Sequence, residues 1–289
     1  MCLESTFNAI PLIGVSRHRL LTDGNGITTL VAFHGCPLKC AYCINPQCQN
    51  DNGIKRWITP QSLFHELQED DFYFRATGGG VCFGGGEPLL RHSFIREFKE
   101  LCGDKWKIIV ETSLNVPQKC VRVLSDIVDE YIVDIKDMSN TIYTQYTGVN
   151  NINVIQNLQY LIEAGLSANI SIRVPLIPKF NNEEAIEKSV YELSQMGLNN
   201  IERFTYYTDL KPTGNYSADS SRMPIGKAIC EILKSVRKTI ADANNIEYHP
   251  VKCNHIGNCL GTCPTCEHEL RLISETLWQR EAEGEKITI

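Results

Sequence analysis

Three cysteines, Cys36, Cys40 and Cys43, follow an apolar run at the spacing C-x3-C-x2-C. Iron–sulfur clusters are held by cysteine thiolates, and a four-iron cube takes four of them. Three local thiols therefore leave one iron open to an outside ligand. A zinc knuckle, or three buried thiols without a metal, are the competing readings. Zinc thiols usually come in C-x2-C pairs, and this spacing differs.

The elements that must position these thiols alternate. Residues 22–26 form an Asp/Asn-Gly turn, and 27–33 are β-branched and apolar enough for a strand buried on both faces, which delivers the cysteine loop. Thr59-Pro60 is an N-cap with proline at the first helical position. Further strands are expected at 80–83, 107–111, 131–136, 169–176 and 201–207, with helices between them and an amphipathic helix over 225–244. Asn181 with Glu184 reads as a capping box for the helix near 183–196. Residues 10–21 give little pattern, and 208–223 read as a polar loop. Six strands alternating with helices predict an α/β fold, a parallel (β/α)6 barrel. Eight repeats would close such a barrel, so six make a partial, TIM-like one with an open side. The expected division is a barrel over 1–249 and a cysteine-rich extension over 250–289, with a helix at 270–283.

In parallel barrels chemistry collects at the C-terminal strand ends. Unusual residues fall at those ends: Gly85, Gly86 and Glu87, then Glu111 and Thr112, then Asp134 and Lys136, with Arg173 in the fifth strand. Each alone reads as a turn or a solvated charge; their coincidence on one rim does not.

The chain of 289 residues is 43% hydrophobic, enough for a sizeable core. A net charge of -6 argues against sequence-independent nucleic-acid binding. The N-terminus lacks the pattern of a secretory signal, and no stretch reaches membrane-span length, so a cytoplasmic protein is expected. Thirteen cysteines are many for a reducing compartment and point to metal ligation. Seven fall into two clusters, which leaves Cys2, Cys48, Cys82, Cys102, Cys120 and Cys230 without a role.

The cysteine motif, with Tyr42 before its third thiol, resembles the radical SAM (S-adenosylmethionine) superfamily. Asp23-Gly-Asn-Gly26, residues 35–45, residues 79–90, Asp134-Ile-Lys136 with Thr147-Gly148, and residues 173–178 together resemble the pyruvate formate-lyase activating enzymes and other glycyl radical enzyme activases, over about residues 10–249. The resemblance implies a [4Fe-4S] cluster on Cys36, Cys40 and Cys43 whose open iron binds S-adenosylmethionine. One electron then yields a 5'-deoxyadenosyl radical, which takes a hydrogen atom from a glycine of a large partner. It places Gly85, Gly86, Glu87, Glu111, Thr112, Asp134, Lys136 and Arg173 around the cofactor and Tyr42 near the adenine. Glycines at 84–86 let backbone approach a ligand, Glu87 can accept from its ammonium group, and Lys136 can face its carboxylate. The implied partners are a protein or peptide substrate and an electron donor such as flavodoxin or ferredoxin, with no nucleic acid and no membrane. A maturase acting on a ribosomal peptide or small metabolite is the second reading; an electron carrier has no need of Glu87 and Lys136. Asp23 and the loop 208–223 are the candidates to touch a substrate.

The chain departs from the activase pattern in four places. Glu111-Thr-Ser-Leu114 stands where Asp-Thr-Asn-Gly is usual, so the acidic group is kept and the turn chemistry after it is expected to be lost. Thr205-Tyr-Tyr207 replaces Pro-Tyr-His, and no ferredoxin insert follows the cysteine loop. Cys253, Cys259, Cys263 and Cys266 are added, and are read as an auxiliary [4Fe-4S] cluster because C-x3-C-x2-C is unusual for zinc and the chain already hosts iron. A structural zinc site, with His255 or His268 able to replace a thiol, is the alternative.

Overall fold

The computed structural model describes residues 9–20, 22–206, 225–255 and 263–289. One sheet of eight strands forms the centre, in the order β3-β1-β2-β4-β5-β6-β7-β8. The strands are β1 (Ile10–Leu20), β2 (Ile27–Phe33), β3 (Arg56–Ile58), β4 (Gly80–Gly85), β5 (Lys107–Thr112), β6 (Glu130–Asp134), β7 (Ile170–Leu176) and β8 (Ile201–Thr205). From β2 through β8 every neighbouring pair is parallel, which supplies the six expected barrel strands. β3 and β8 are the two ends of the sheet, so the barrel is open.

Two strands exceed expectation. β1 pairs antiparallel with β2 and with the short β3. Its pattern was obscured because Pro11 and Gly14 argue against a strand and the register shifts twice along its pairing with β2. Such irregularity is tolerated near a sheet edge.

Helices α1 (Pro60–Leu67), α2 (Asp71–Thr77), α3 (His92–Cys102), α4 (Gln118–Arg122), α5 (Asn140–Thr147), α6 (Ile152–Glu163) and α7 (Glu183–Gln195) lie along the sheet. α1 starts as expected, Thr59 Oγ1 accepting from Ser62 N at 3.2 Å. The cap of α7 is one residue later than expected: Asn182 accepts from Ala185 N at 2.9 Å. Asn181 is engaged elsewhere, accepting from Ile177 N and donating to Pro175 O. The main core joins Val31, Phe33, Phe83, Val110, Val133 and Ile172 of the strands to Leu63, Phe98, Leu158 and Leu193 of the helices.

α8 (Ile225–Ala243) and α9 (Pro264–Ala282) complete the described residues. α9 begins before the expected residue 270 because Cys263 takes the N-cap position and Pro264 the first helical one. Phe72 of α2, Ile240 of α8, Tyr248, and Ile273 and Leu277 of α9 form a shared apolar cluster. Arg237 of α8 is almost fully buried and donates to Glu269 of α9 (2.7 Å), to the Tyr248 hydroxyl (3.0 Å) and to the Tyr73 hydroxyl of α2. The extension thus packs on barrel elements through apolar contacts and a buried ion pair. Among the described residues no helix is long and apolar enough to cross a membrane.

Candidate active site

The loop after β2 is anchored by backbone bonds before any cofactor is considered. Lys39 N and Ala41 N donate to Thr147 O (2.8 Å) and Tyr146 O (3.1 Å) at the end of α5, and Gly35 N donates to Cys48 O (3.0 Å). Glu87 N donates to Gly35 O and Gly86 N to Phe33 O, at 2.8 and 2.9 Å. This explains the glycines differently from the sequence reading. A Cβ on Gly86 would meet Gly35 O at 2.2 Å, and one on Gly85, at φ +90, would meet the Cβ of Ala32 at 2.7 Å. The close approach they permit is to the chain's own β2 and the start of the cysteine loop.

Cys36, Cys40 and Cys43 line one cavity together with Tyr42, Gly85, Gly86, Glu87, Glu111, Thr112, Asp134 and Lys136. Eleven candidate residues from four strand ends therefore share one space. Arg173 stands behind it: its guanidinium donates to Glu111 Oε1 at 2.8 Å and to Thr22 O at 2.5 Å. It holds Glu111 rather than facing the cavity. Ser113, Asn45, Tyr146 and Tyr206 also line the space and had no assigned role. Tyr206 was discernible only as the middle residue of Thr205-Tyr-Tyr207, and it follows directly on β8.

Glu87 is fully used by the protein. Oε1 accepts from Thr112 Oγ1 (2.6 Å) and Leu89 N (3.2 Å), and Oε2 from Ser113 Oγ (2.6 Å) and Ser113 N (3.0 Å). A carboxylate has about four acceptor sites, and four donors fill them. Burial still raises the Glu87 pKa against these four bonds. The side chain braces the β4 loop against the β5 loop through these four donors, all supplied by the protein.

The turn after Glu111 keeps its chemistry, contrary to expectation. Leu114 adopts a left-handed backbone at φ 56 where glycine would be usual, and its side chain is fully buried. Asn157 Nδ2 donates to Leu114 O and Val116 O, both at 2.8 Å, and fixes the turn against α6.

Lys136 Nζ donates to Asp134 Oδ2 (2.9 Å) and to the Tyr206 hydroxyl (2.7 Å). Two of its three N–H bonds are thus committed. Despite burial, Asp134 and Tyr206 hold its pKa well above the usual lysine value, so it is a permanent cation. Glu111 is pushed up to about 7, first by burial and then by the negative charge of Asp134. Tyr42 packs edge-on to Phe180 at 5.7 Å, and Tyr146 stacks with Tyr206 at 6.2 Å. Asp23 is buried and bonded to Arg19, so it presents no free carboxylate at the rim. The loop 208–223 and Tyr207 lie outside the described residues.

The chain matches the family model described as Radical SAM superfamily over residues 30–188, more than half its length. The chain belongs to the radical SAM superfamily. Among its relatives, the pyruvate formate-lyase 2-activating enzyme of Escherichia coli (strain K12) is 29% identical over 219 residues, 65% of this chain and 74% of that protein. The (2S)-3-sulfopropanediol dehydratase activating enzyme of Klebsiella oxytoca is 33% identical over 222 residues, 56% of this chain and 69% of that protein. The crystal structure of Streptococcus suis SuiB has a TM-score of 0.47 at 15% identity, covering 72% of this chain and 44% of that one.

Radical SAM enzymes use a [4Fe-4S] cluster and S-adenosylmethionine, and the donor set fits both. Three partly exposed thiols line a shared space; hydrogen bonding from the Cys48 thiol brings Cys43 down to about 6, whereas burial pushes Cys36 up to about 12 and raises Cys40, so a bound cluster would have to displace those two protons. Asp134 Oδ1 is buried there without a hydrogen-bond partner, an acceptor ready for a cationic group. Lys136 has one N–H bond left for a carboxylate.

Proposed function

We propose that this radical SAM enzyme is an activase that removes one hydrogen atom from a backbone glycine of a partner glycyl radical enzyme. The convergence of segments from β2, β4, β5 and β6 on one cavity carries the reading, and the activating enzymes among its relatives support the reaction class. Cys36, Cys40 and Cys43 would hold the cluster, which when bound supplies one electron to S-adenosylmethionine. Lys136 would face the carboxylate of that cofactor and Asp134, whose Oδ1 is buried without a partner, its ammonium group, while Glu87 is engaged by four donors of the protein. Tyr42, Tyr146 and Tyr206 form an aromatic wall for the adenine. Glu87 and Arg173 position the two rim loops.

The open side of the sheet admits an extended segment of the partner, and residues 1–249 are the barrel that performs the chemistry, with 250–289 as an extension. A flavodoxin or ferredoxin would supply the electron. The auxiliary [4Fe-4S] cluster expected on Cys253, Cys259, Cys263 and Cys266 forms no part of this proposal. Cys259 lies outside the described residues, and Cys266 meets Cys230 of α8 at 3.5 Å.

The test is anaerobic incubation with a candidate glycyl radical enzyme, S-adenosylmethionine and a reductant. A persistent paramagnetic doublet on the partner, and oxygen-dependent cleavage at one glycine, are expected. Cys36, Cys40 and Cys43 replaced together by Ala should abolish both. Modification of a short precursor peptide or a metabolite without any lasting radical would replace the activase reading with the maturase one.

A further inference from the structure

Tyr146 carries a hydroxyl that nothing in the protein satisfies. It sits in the last turn of α5, where its carbonyl accepts from Ala41 N of the cysteine loop at 3.1 Å, so backbone fixes its place beside that loop. The residue is 1% exposed, and its Oη has no hydrogen-bond partner. Neighbouring phenols are supplied: the Tyr143 hydroxyl, one turn earlier on α5, accepts from Asn115 Nδ2 at 3.1 Å, and the Tyr206 hydroxyl accepts from Lys136 at 2.7 Å. Among the described residues, Asp134 Oδ1 and Tyr146 Oη are the two buried side-chain atoms of the cavity lining that lack a partner. A buried polar group left unpaired is costly, so each points to a ligand.

The two atoms differ in chemistry. A carboxylate oxygen only accepts, whereas a phenol also donates. Burial raises the Tyr146 pKa further above the ordinary tyrosine value, so its proton stays in place. The Tyr42 amide lies near Oη without completing a hydrogen bond; with a donor already at hand, what the hydroxyl lacks is an acceptor. Its ring is also the centre of an aromatic cluster, with centroids 5.1 Å from Phe180 and 6.2 Å from both Tyr42 and Tyr206. A base held among such faces loses the water that bonded the nitrogens of its edge, and needs a donor of the protein in exchange.

We infer that the Tyr146 hydroxyl donates a hydrogen bond to a ring nitrogen of the adenine of S-adenosylmethionine. The aromatic wall then supplies contact area and this bond selects the base, while Asp134 and Lys136 hold the amino acid end. The competing acceptor is the Cys40 sulfur, which lines the same cavity. The inference rests on the cofactor placement proposed above and not on the hydrogen abstraction, so its test needs no partner protein.

The anaerobically prepared chain with its cluster is used, and affinity and stability are read instead of turnover. Tyr146→Phe keeps the ring and removes only the hydroxyl. It should bind S-adenosylmethionine about tenfold more weakly, the worth of one buried hydrogen bond. It should bind methionine, which carries the amino acid end alone, as the parent does. Without cofactor it should unfold at no lower a temperature, because the lost hydroxyl had no partner. Analogues of S-adenosylmethionine with N1, N3 or N7 replaced by C–H give a reading in the unaltered chain, whatever the folding of the variant. One of the three should bind the parent about tenfold more weakly than S-adenosylmethionine does, and that difference should vanish in Tyr146→Phe. Undiminished affinity in the folded variant, equal affinity of the unaltered chain for all three analogues and the cofactor, or an analogue loss that persists in Tyr146→Phe would each overturn the inference. So would an equal loss for methionine, a lower unfolding temperature, or a shift of the cluster's reduction potential without cofactor, which would assign the hydroxyl to the amino acid end, to packing or to Cys40. In each of these cases the parent still binds S-adenosylmethionine and the cofactor placement survives; a parent that binds none would defeat both.

Discussion

Replacing Glu87 separates a brace from a ligand contact. In Glu87→Ala two backbone donors, Leu89 N and Ser113 N, lose their acceptor in a fully buried setting. An unsatisfied buried donor costs about 1–3 kcal/mol, so the pair costs about 2–6 kcal/mol. Thr112 and Ser113 hydroxyls can turn elsewhere and add little. Part is recovered because an ion whose burial is unfavourable, as its raised pKa shows, is removed. The net expectation is a loss of about 3 kcal/mol. Glu87→Gln keeps one oxygen for Thr112 and Leu89 and turns the other into an amide N–H2 that faces Ser113 N–H. It strands one donor, a loss of about 1–2 kcal/mol. Urea denaturation under anaerobic conditions, with S-adenosylmethionine affinity measured in parallel, reads both effects. If both variants matched the parent in stability yet bound the cofactor at least tenfold more weakly, Glu87 would be a cofactor ligand and the bracing account would fall.

Three further outcomes follow from the same packing. Glu111 has a folded pKa near 7, above its ordinary 4.5, so its contribution is fully present below that ordinary value and is lost as pH rises through about 7. The stability of the parent relative to Glu111→Gln should therefore fall across that interval, by about 1–3 kcal/mol given a side chain only 28% exposed; a constant difference would count against the burial argument. Glu269→Ala leaves the buried Arg237 guanidinium without its carboxylate, at a cost of about 3–5 kcal/mol, and limited proteolysis should then release α9 early, whereas an unchanged digestion pattern would mean the pair does not hold the extension. At Leu114 the usual order of glycine and alanine should reverse: Leu114→Gly is expected to be about 1 kcal/mol more stable than Leu114→Ala because a left-handed backbone strains any residue with a Cβ, and calorimetry showing alanine equal or better would refute it.

The thiol triad, the parallel alternation of strands and the rim of strand-end residues were legible from local pattern alone. Ligand spacing is a property of adjacent residues, and strand ends follow from hydrophobic periodicity, so neither needs distant contacts to be read. The roles within the rim were another matter. Glu87 read as a free acceptor because its four donors include Thr112 and Ser113, which lie across the sheet on β5 and its loop. Arg173 read as facing the cofactor, and its actual partner Glu111 is reached through the parallel stacking of β5, β6 and β7.

What the sequence by itself determined is the inventory of chemistry: which thiols come three together, which residues sit at strand ends, and which superfamily that order matches. What only the tertiary structure decided is which of those groups are already spoken for. β1 was invisible because its proline, glycine and register shifts hide the alternation that pairing with β2 restores. Leu114 keeps a glycine-like turn because burial of its side chain in the core offsets the backbone strain, a balance set by neighbours far along the chain. Cys230 carries no motif, being one cysteine in an amphipathic helix, and only the packing of α8 on α9 brings its sulfur to 3.5 Å from that of Cys266. Spacing along a chain specifies groups that share a loop; groups that meet across two helices are specified by packing.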